Sequence, residues 1–116
     1  MGDSIIKNKS FQFALAVIRV YKALVERKEF LLSRQLLRSG TSIGANTREA
    51  LNTQTRKDFM FKFSICQKEC DETLYWLELL YASDLISKEE FTFLHGEACS
   101  MLKMIKSIIV TSRKRR

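Results

Sequence analysis

A chain of 116 residues, 46% hydrophobic, without proline and with only four glycines, is sized for one domain with a real core. Its composition suits long helices and argues against a turn-rich β fold. No apolar run reaches the ~18–20 residues needed to cross a bilayer. Met1 to Ser10 lack the apolar core and small-residue cleavage site of a secretory signal, and three cysteines without a framework spacing imply a reduced, cytoplasmic setting. The net charge of +7 is unevenly spread. Residues 1–66 hold 12 Lys/Arg against 5 Asp/Glu, residues 67–112 hold 4 against 8, and Arg113, Lys114, Arg115 and Arg116 add four cations. Such polarity suits a polyanionic partner or head-to-tail self-association, although a basic surface also serves solubility alone.

Four helices are predicted. On the first, Phe11, Ala14, Leu15, Ile18 and Val25 mark one apolar stripe, with Phe13, Val17, Val20, Tyr21 and Leu24 widening it. A break follows at Arg27-Lys28-Glu29. The second helix runs from about Leu31 to Asn52. Along it Leu36, Gly40, Ile43, Thr47 and Ala50 form an apolar-to-small stripe, and Gln35, Arg38, Ser42, Asn46 and Glu49 form a polar one beside it. A glycine inside a helix costs roughly 1 kcal/mol against alanine, so Gly40 and Gly44 point to another backbone coming close.

Thr53-Gln54-Thr55 separates the third helix, for which Thr55 is a plausible N-cap with Asp58 in the first turn. Phe59, Phe63, Cys66, Cys70, Thr73, Leu77 and Leu80 then recur at helical spacing. Ser87-x-x-Glu90 reads as a capping box opening the fourth helix, where Phe91, Leu94, Ala98, Met101, Ile105 and Ile108 keep the rhythm. Long heptad-spaced segments joined by short polar turns indicate an all-α, antiparallel up-down four-helix bundle. We expect one domain over residues 1–116, with short flexible ends at about 1–9 and 112–116.

The apolar positions exceed one seam per helix. The surplus is aromatic, notably Tyr75, Trp76 and Phe93, and aromatic residues concentrate at subunit contacts. Self-association into a homo-oligomer is therefore expected.

Candidate chemistry is sparse. Cys66/Cys70 and His95/Cys99 are two i,i+4 pairs that together make a Cys₃His set. With a turn near residues 84–87, however, the pairs sit about six residues apart in level, roughly 9 Å, and no metal site is expected. His95 is the only histidine, and no phosphate-loop, dinucleotide, G-x-S-x-G or H-E-x-x-H pattern accompanies it. Glu49 alone does not make an active site. Neither an enzyme nor a cofactor is expected. Gln35, Ser42, Asn46 and Glu49 read instead as a structural polar stripe that fixes how the second helix meets a neighbour. Arg34 and Arg38, one turn apart, with Arg56, Lys57 and the Arg113–Arg116 run, are candidates for phosphate contacts without base specificity. Arg38 has an alternative as an internal partner of Glu49, and the basic run has one as a solvated terminus.

The stretch Q-L-x-R-S-x-x-S-I-x-A-N-x-x-E-A, from Gln35 to Ala50, resembles the four-helix-bundle family named for open reading frames in 23S rRNA intervening sequences. Phe11, Ala14 and Tyr21, the Lys57-Asp58-Phe59 start and the Met101-Leu102-x-x-Ile105 run extend the resemblance from Phe11 to about Ile109. It implies antiparallel bundles assembled as ring-like homopentamers. The family is also similar to the basic accessory protein of diversity-generating retroelements, which binds a reverse transcriptase and nucleic acid. The sequence departs from the pattern at Ala50, where glycine is usual, and at Arg48, where a small apolar residue is common. The resemblance carries over no catalytic residue. The leading expectation is a non-enzymatic, oligomeric RNA- or DNA-binding accessory protein, whose partners are copies of itself, nucleic acid and a reverse transcriptase or other nucleic-acid enzyme, with no membrane. The alternative is a protein-interaction scaffold whose charge is incidental.

Overall fold

Three short connections, each closed by local hydrogen bonds, divide the chain into α1 (Gly2–Glu26), α2 (Leu31–Leu51), α3 (Arg56–Ala82) and α4 (Lys88–Lys114). The structure is a computed structural model that describes residues 2–115. At the end of α1, Lys28 takes a left-handed φ of 65°. The Glu29 amide then donates to the Leu24 carbonyl at 2.9 Å and the Lys28 amide to Val25 at 2.9 Å, satisfying two carbonyls the helix leaves orphaned. The Glu29 carboxylate caps α2 from outside, accepting from the Leu32 and Ser33 amides at 3.2 and 2.8 Å. Asp84 repeats the left-handed turn after α3, with φ 61°. Thr55 caps α3 by accepting from the Asp58 amide, and Ser87 and Glu90 form the expected capping box on α4.

Arg27 donates to the Leu85 carbonyl at 2.8 Å, tying the α1–α2 and α3–α4 turns together at one end of the molecule. The α2–α3 connection, the start of α1 and the close of α4 lie at the other end. Each helix packs on its chain-order neighbours and α1 closes the square on α4 through the sparsest seam, giving a rod of 50 × 20 × 19 Å. The molecule is an all-α, four-helix bundle.

The core stripe of α2 is the expected one, with Leu36, Gly40, Ile43, Thr47 and Ala50 all buried. On α3, Phe63, Cys66, Cys70, Thr73, Leu77 and Leu80 are buried and Phe59 is half-buried. The α4 stripe closes on Ile109, with Ile108 only half-buried. Thr47 and Thr73 return their hydroxyl protons to the Ile43 and Glu69 carbonyls of their own helices, at 2.8 and 2.7 Å. Among the described residues no buried side-chain polar atom lacks a partner, as a low-dielectric core demands.

Packing decides which of the two stripes of α1 faces the core. On α1 the buried apolar residues are Ile6, Phe13, Ala16, Val17, Val20 and Leu24, whereas Phe11 and Leu15 face outward. The flanking stripe, and not the Phe11–Leu15 one, is therefore the core face. α1 begins at Gly2, within the segment read as a flexible start, and Ile6 is fully buried. An apolar anchor in the second turn holds it down.

Candidate nucleic-acid interface

The first turn of α3 and the last turns of α4 meet at the end of the rod away from the Arg27–Leu85 contact. Arg56 and Lys57 open α3, and Arg113 and Lys114 close α4 with Arg115 as its C-cap. All five are exposed. Among the described residues none has a carboxylate within ion-pair distance. The two helices treat their cations oppositely. Basic residues suit the negative end of the α4 dipole, whereas Arg56 and Lys57 stand at the positive end of α3, offset only by Asp58. Like charge held at a helix N-terminus is relieved when an anion arrives.

Two grooves frame this cluster. One, of about 610 Å³, is lined by Thr55, Arg56, Thr111, Ser112 and Arg115 together with the apolar Phe59 and Ile108, and its hydroxyl and guanidinium groups suit phosphate and sugar oxygens. The second lies across Arg56 towards Lys57 and Arg113. Within the run expected as a flexible arm, Arg113 and Lys114 belong to α4, and Arg115 is its extended C-cap, whose amide donates to the Thr111 carbonyl at 3.3 Å. Buried Ile109 and favourable dipole charge carry the helix on. Arg116 lies outside the described residues.

Arg34 and Arg38 are not part of this cluster. They sit on α2 towards the opposite end, with Arg34 about 25 Å along the axis from the α2–α3 connection at 1.5 Å per residue. Arg38 is engaged by Glu72 and, at 3.3 Å, by Glu69, both on α3. The hydrogen bond it donates to Glu72 leads the causes that raise the Arg38 pKa. Glu72 is in turn held below the usual carboxylate range, first by the Trp76 indole N–H at 2.9 Å and then by Arg38. The internal partner of Arg38 is thus this carboxylate pair, and Glu49 instead pairs with Lys62 at 2.7 Å.

The polar stripe does not form one network. Ser42 donates to the Arg38 carbonyl at 2.6 Å and Asn46 to the Ser42 carbonyl at 2.9 Å, both within α2. Gln35 is exposed. Short side chains on a helix reach their own preceding turn before they reach a neighbour. Glu49 alone of the four crosses to another helix. Arg48, at the position that departs from the resembled pattern, lies over the Phe11 ring, 5.5 Å from its centroid, a cation–π contact.

The thiols separate into two kinds. Burial pushes Cys66 up to about 11 and Cys70 up to about 12. Cys99 is half-buried, its sulfur 3.7 Å from His95 Nδ1, while His95 Nε2 lies 3.0 Å from Glu78. Among the described residues no three cysteine, histidine or carboxylate side chains converge as a metal site. Because the thiolate is the nucleophile, alkylation of the native protein at pH 8 is expected to label Cys99 alone. Mass spectrometry checks this, and fast native labelling of Cys66 or Cys70 would contradict it. A raised thiol pKa favours the folded state below the ordinary value of 9.0 and loses that contribution as pH climbs through about 11 and about 12. Stability should therefore fall with rising alkalinity over that window.

Fold and site together define a small all-α protein with one cationic end. The chain belongs to the 23S rRNA-intervening sequence protein family, whose model matches residues 2–107. A crystal structure of a Bacteroides thetaiotaomicron protein, described as of unknown function and from the S23 ribosomal protein family, is 47% identical to it. The match covers 94% of this chain and 98% of that one, with a TM-score of 0.92. No curated protein matches the chain. Among the described residues no helix is long and apolar enough to cross a membrane.

Proposed function

We propose that the protein is a non-enzymatic, oligomeric nucleic-acid-binding accessory protein of the cytoplasm, holding phosphates at the cationic end of the bundle. The observation that carries this reading is the gathering of Arg56, Lys57, Arg113 and Arg115 around two adjoining grooves, none of them ion-paired among the described residues. Net charge adds long-range attraction. The family's name, which refers to intervening sequences of 23S rRNA, agrees with a polyanionic partner, and a reverse transcriptase or other nucleic-acid enzyme fits as the protein partner. Arg34 supplies a second contact only to a strand long enough to run along α2.

A salt titration of labelled oligonucleotide binding tests the reading. Four phosphate contacts would weaken affinity roughly 50- to 150-fold between about 50 and 200 mM salt. Absence of binding at low salt would hand the lead to the scaffold reading.

Assembly is supported by aromatic surface on several helices. Phe11 on α1, Tyr75 on α3 and Phe93 on α4 are 48%, 54% and 59% exposed, more than a small monomer usually leaves bare. Trp76 is half-buried, spent partly on the core and partly on Glu72. Light scattering is expected to give a mass several times 13.5 kDa, with a pentamer as the proposed state. A monomer persisting at tens of micromolar, well above the ~1 μM dissociation constant of a modest interface, would refute it.

A further inference from the structure

Beside the cationic cluster an open trough of about 510 Å³ runs between α3 and α4. Met60, Phe61 and Ile109 line it together with Arg56, Lys57 and Arg113, and the lining surface is almost wholly apolar, so the basic residues contribute mainly their aliphatic stems and carry their charges at its rim. Lys57, Met60, Phe61 and Ser64 share one face of α3 at positions i, i+3, i+4 and i+7. Phe61 is 61% exposed, so its ring is open to an incoming planar group. A purely apolar occupant would leave three cations at its edge without counter-charge. A nucleotide brings a flat π face for the ring and phosphates for the rim together.

We infer that this trough receives an unpaired nucleobase stacked on Phe61, while Arg56, Lys57 and Arg113 hold the flanking phosphates. The inference rests on the nucleic-acid reading above and narrows it to single-stranded or looped-out nucleic acid. Bases inside a duplex are covered on both faces by their neighbours and cannot stack on a side chain, whereas a bare strand offers every base. Stacking is indifferent to base identity, so the ligand is defined by strandedness and not by sequence.

The test uses a fluorescein-labelled 12-mer oligothymidylate, a 12-base-pair duplex, and a single strand carrying 2-aminopurine. Phe61→Leu removes the ring from an exposed position, and Phe61→Trp restores a π face. Phe61→Leu is expected to weaken single-strand binding at least about 5-fold, with the salt slope and duplex affinity unchanged. Phe61→Trp should bind as the parent does or more tightly, and 2-aminopurine fluorescence should be quenched by the parent and by Phe61→Trp but not by Phe61→Leu. If Phe61→Leu binds the single strand as tightly as the parent, with the parent's salt dependence intact, the trough proposal is overturned while the phosphate site stands. If the parent binds neither probe at low salt, both fail. If Phe61→Leu lowers the mass in light scattering, the ring belongs to a contact between copies, and the base-stacking role is overturned in favour of that interface.

Discussion

Gly40→Leu is expected to destabilise the bundle by about 2 kcal/mol or more, seen as a fall of roughly 10 °C in the thermal midpoint. A Cβ at Gly40 would stand 3.0 Å from Val17 Cγ2 and 3.1 Å from Cγ1. Val17 is fully buried in the core of α1 and, being β-branched, has few rotamers in which to retreat. Even the first added carbon is tight, and leucine adds three more heavy atoms to a closed seam. Helix propensity returns only about 1 kcal/mol, too little to reverse the sign. Gly96 is the internal control, because a Cβ there meets nothing within 4 Å. Gly96→Ala should therefore stabilise by up to about 1 kcal/mol. Val17→Ala in the Gly40→Leu background should recover part of the loss, since the two positions pack directly on each other. Melts compared at one protein concentration decide the matter. Stabilisation by Gly40→Leu would show that α1 and α2 are not held at this distance.

Neutralising Arg56, Lys57 and Arg113 to glutamine is expected to remove most nucleic-acid affinity. The slope of log affinity against log salt should fall by about 0.7–0.9 for each phosphate no longer held, a change of about 2–3 for the triple variant. These side chains are exposed at helix ends, so helicity and mass should be unchanged. The α3 N-terminus should if anything gain stability as like charge leaves its dipole. Arg38→Gln gives the contrast. Its guanidinium is committed to Glu69 and Glu72, so its removal should leave the salt slope alone and change stability by at most about 1 kcal/mol, as a partly exposed ion pair permits. Arg34→Gln should matter only for strands long enough to span the ~25 Å from the cationic end. A triple variant with the parent's slope would disprove the phosphate site, and a changed slope for Arg38→Gln would move it to α2.

The features legible in the sequence were those set within a few residues. Thr55 and Ser87 cap their helices because the amide each accepts from lies three positions on. The seams of α2 and α3 follow from helical periodicity applied to single dominant stripes. Tertiary structure decided wherever two local choices were nearly equal. On α1 two apolar stripes stand side by side, and packing against α2 turned Phe13, Val17 and Val20 inward and left Phe11 and Leu15 outside. The left-handed turns fall on Lys28 and Asp84, where no glycine announced them, because their hydrogen bonds and the Arg27–Leu85 tie offset the backbone strain. Charge is the clearest case. Sequence places Arg34 and Arg38 one turn apart and Arg56 and Arg113 far from each other. Antiparallel packing reverses their standing, giving Arg38 to two carboxylates of α3 and bringing Arg56 and Arg113 to the rim of one trough. Capping and periodicity are short-range and can be read along the chain, whereas the partner of a charge is fixed only when distant helices come to rest at the same level.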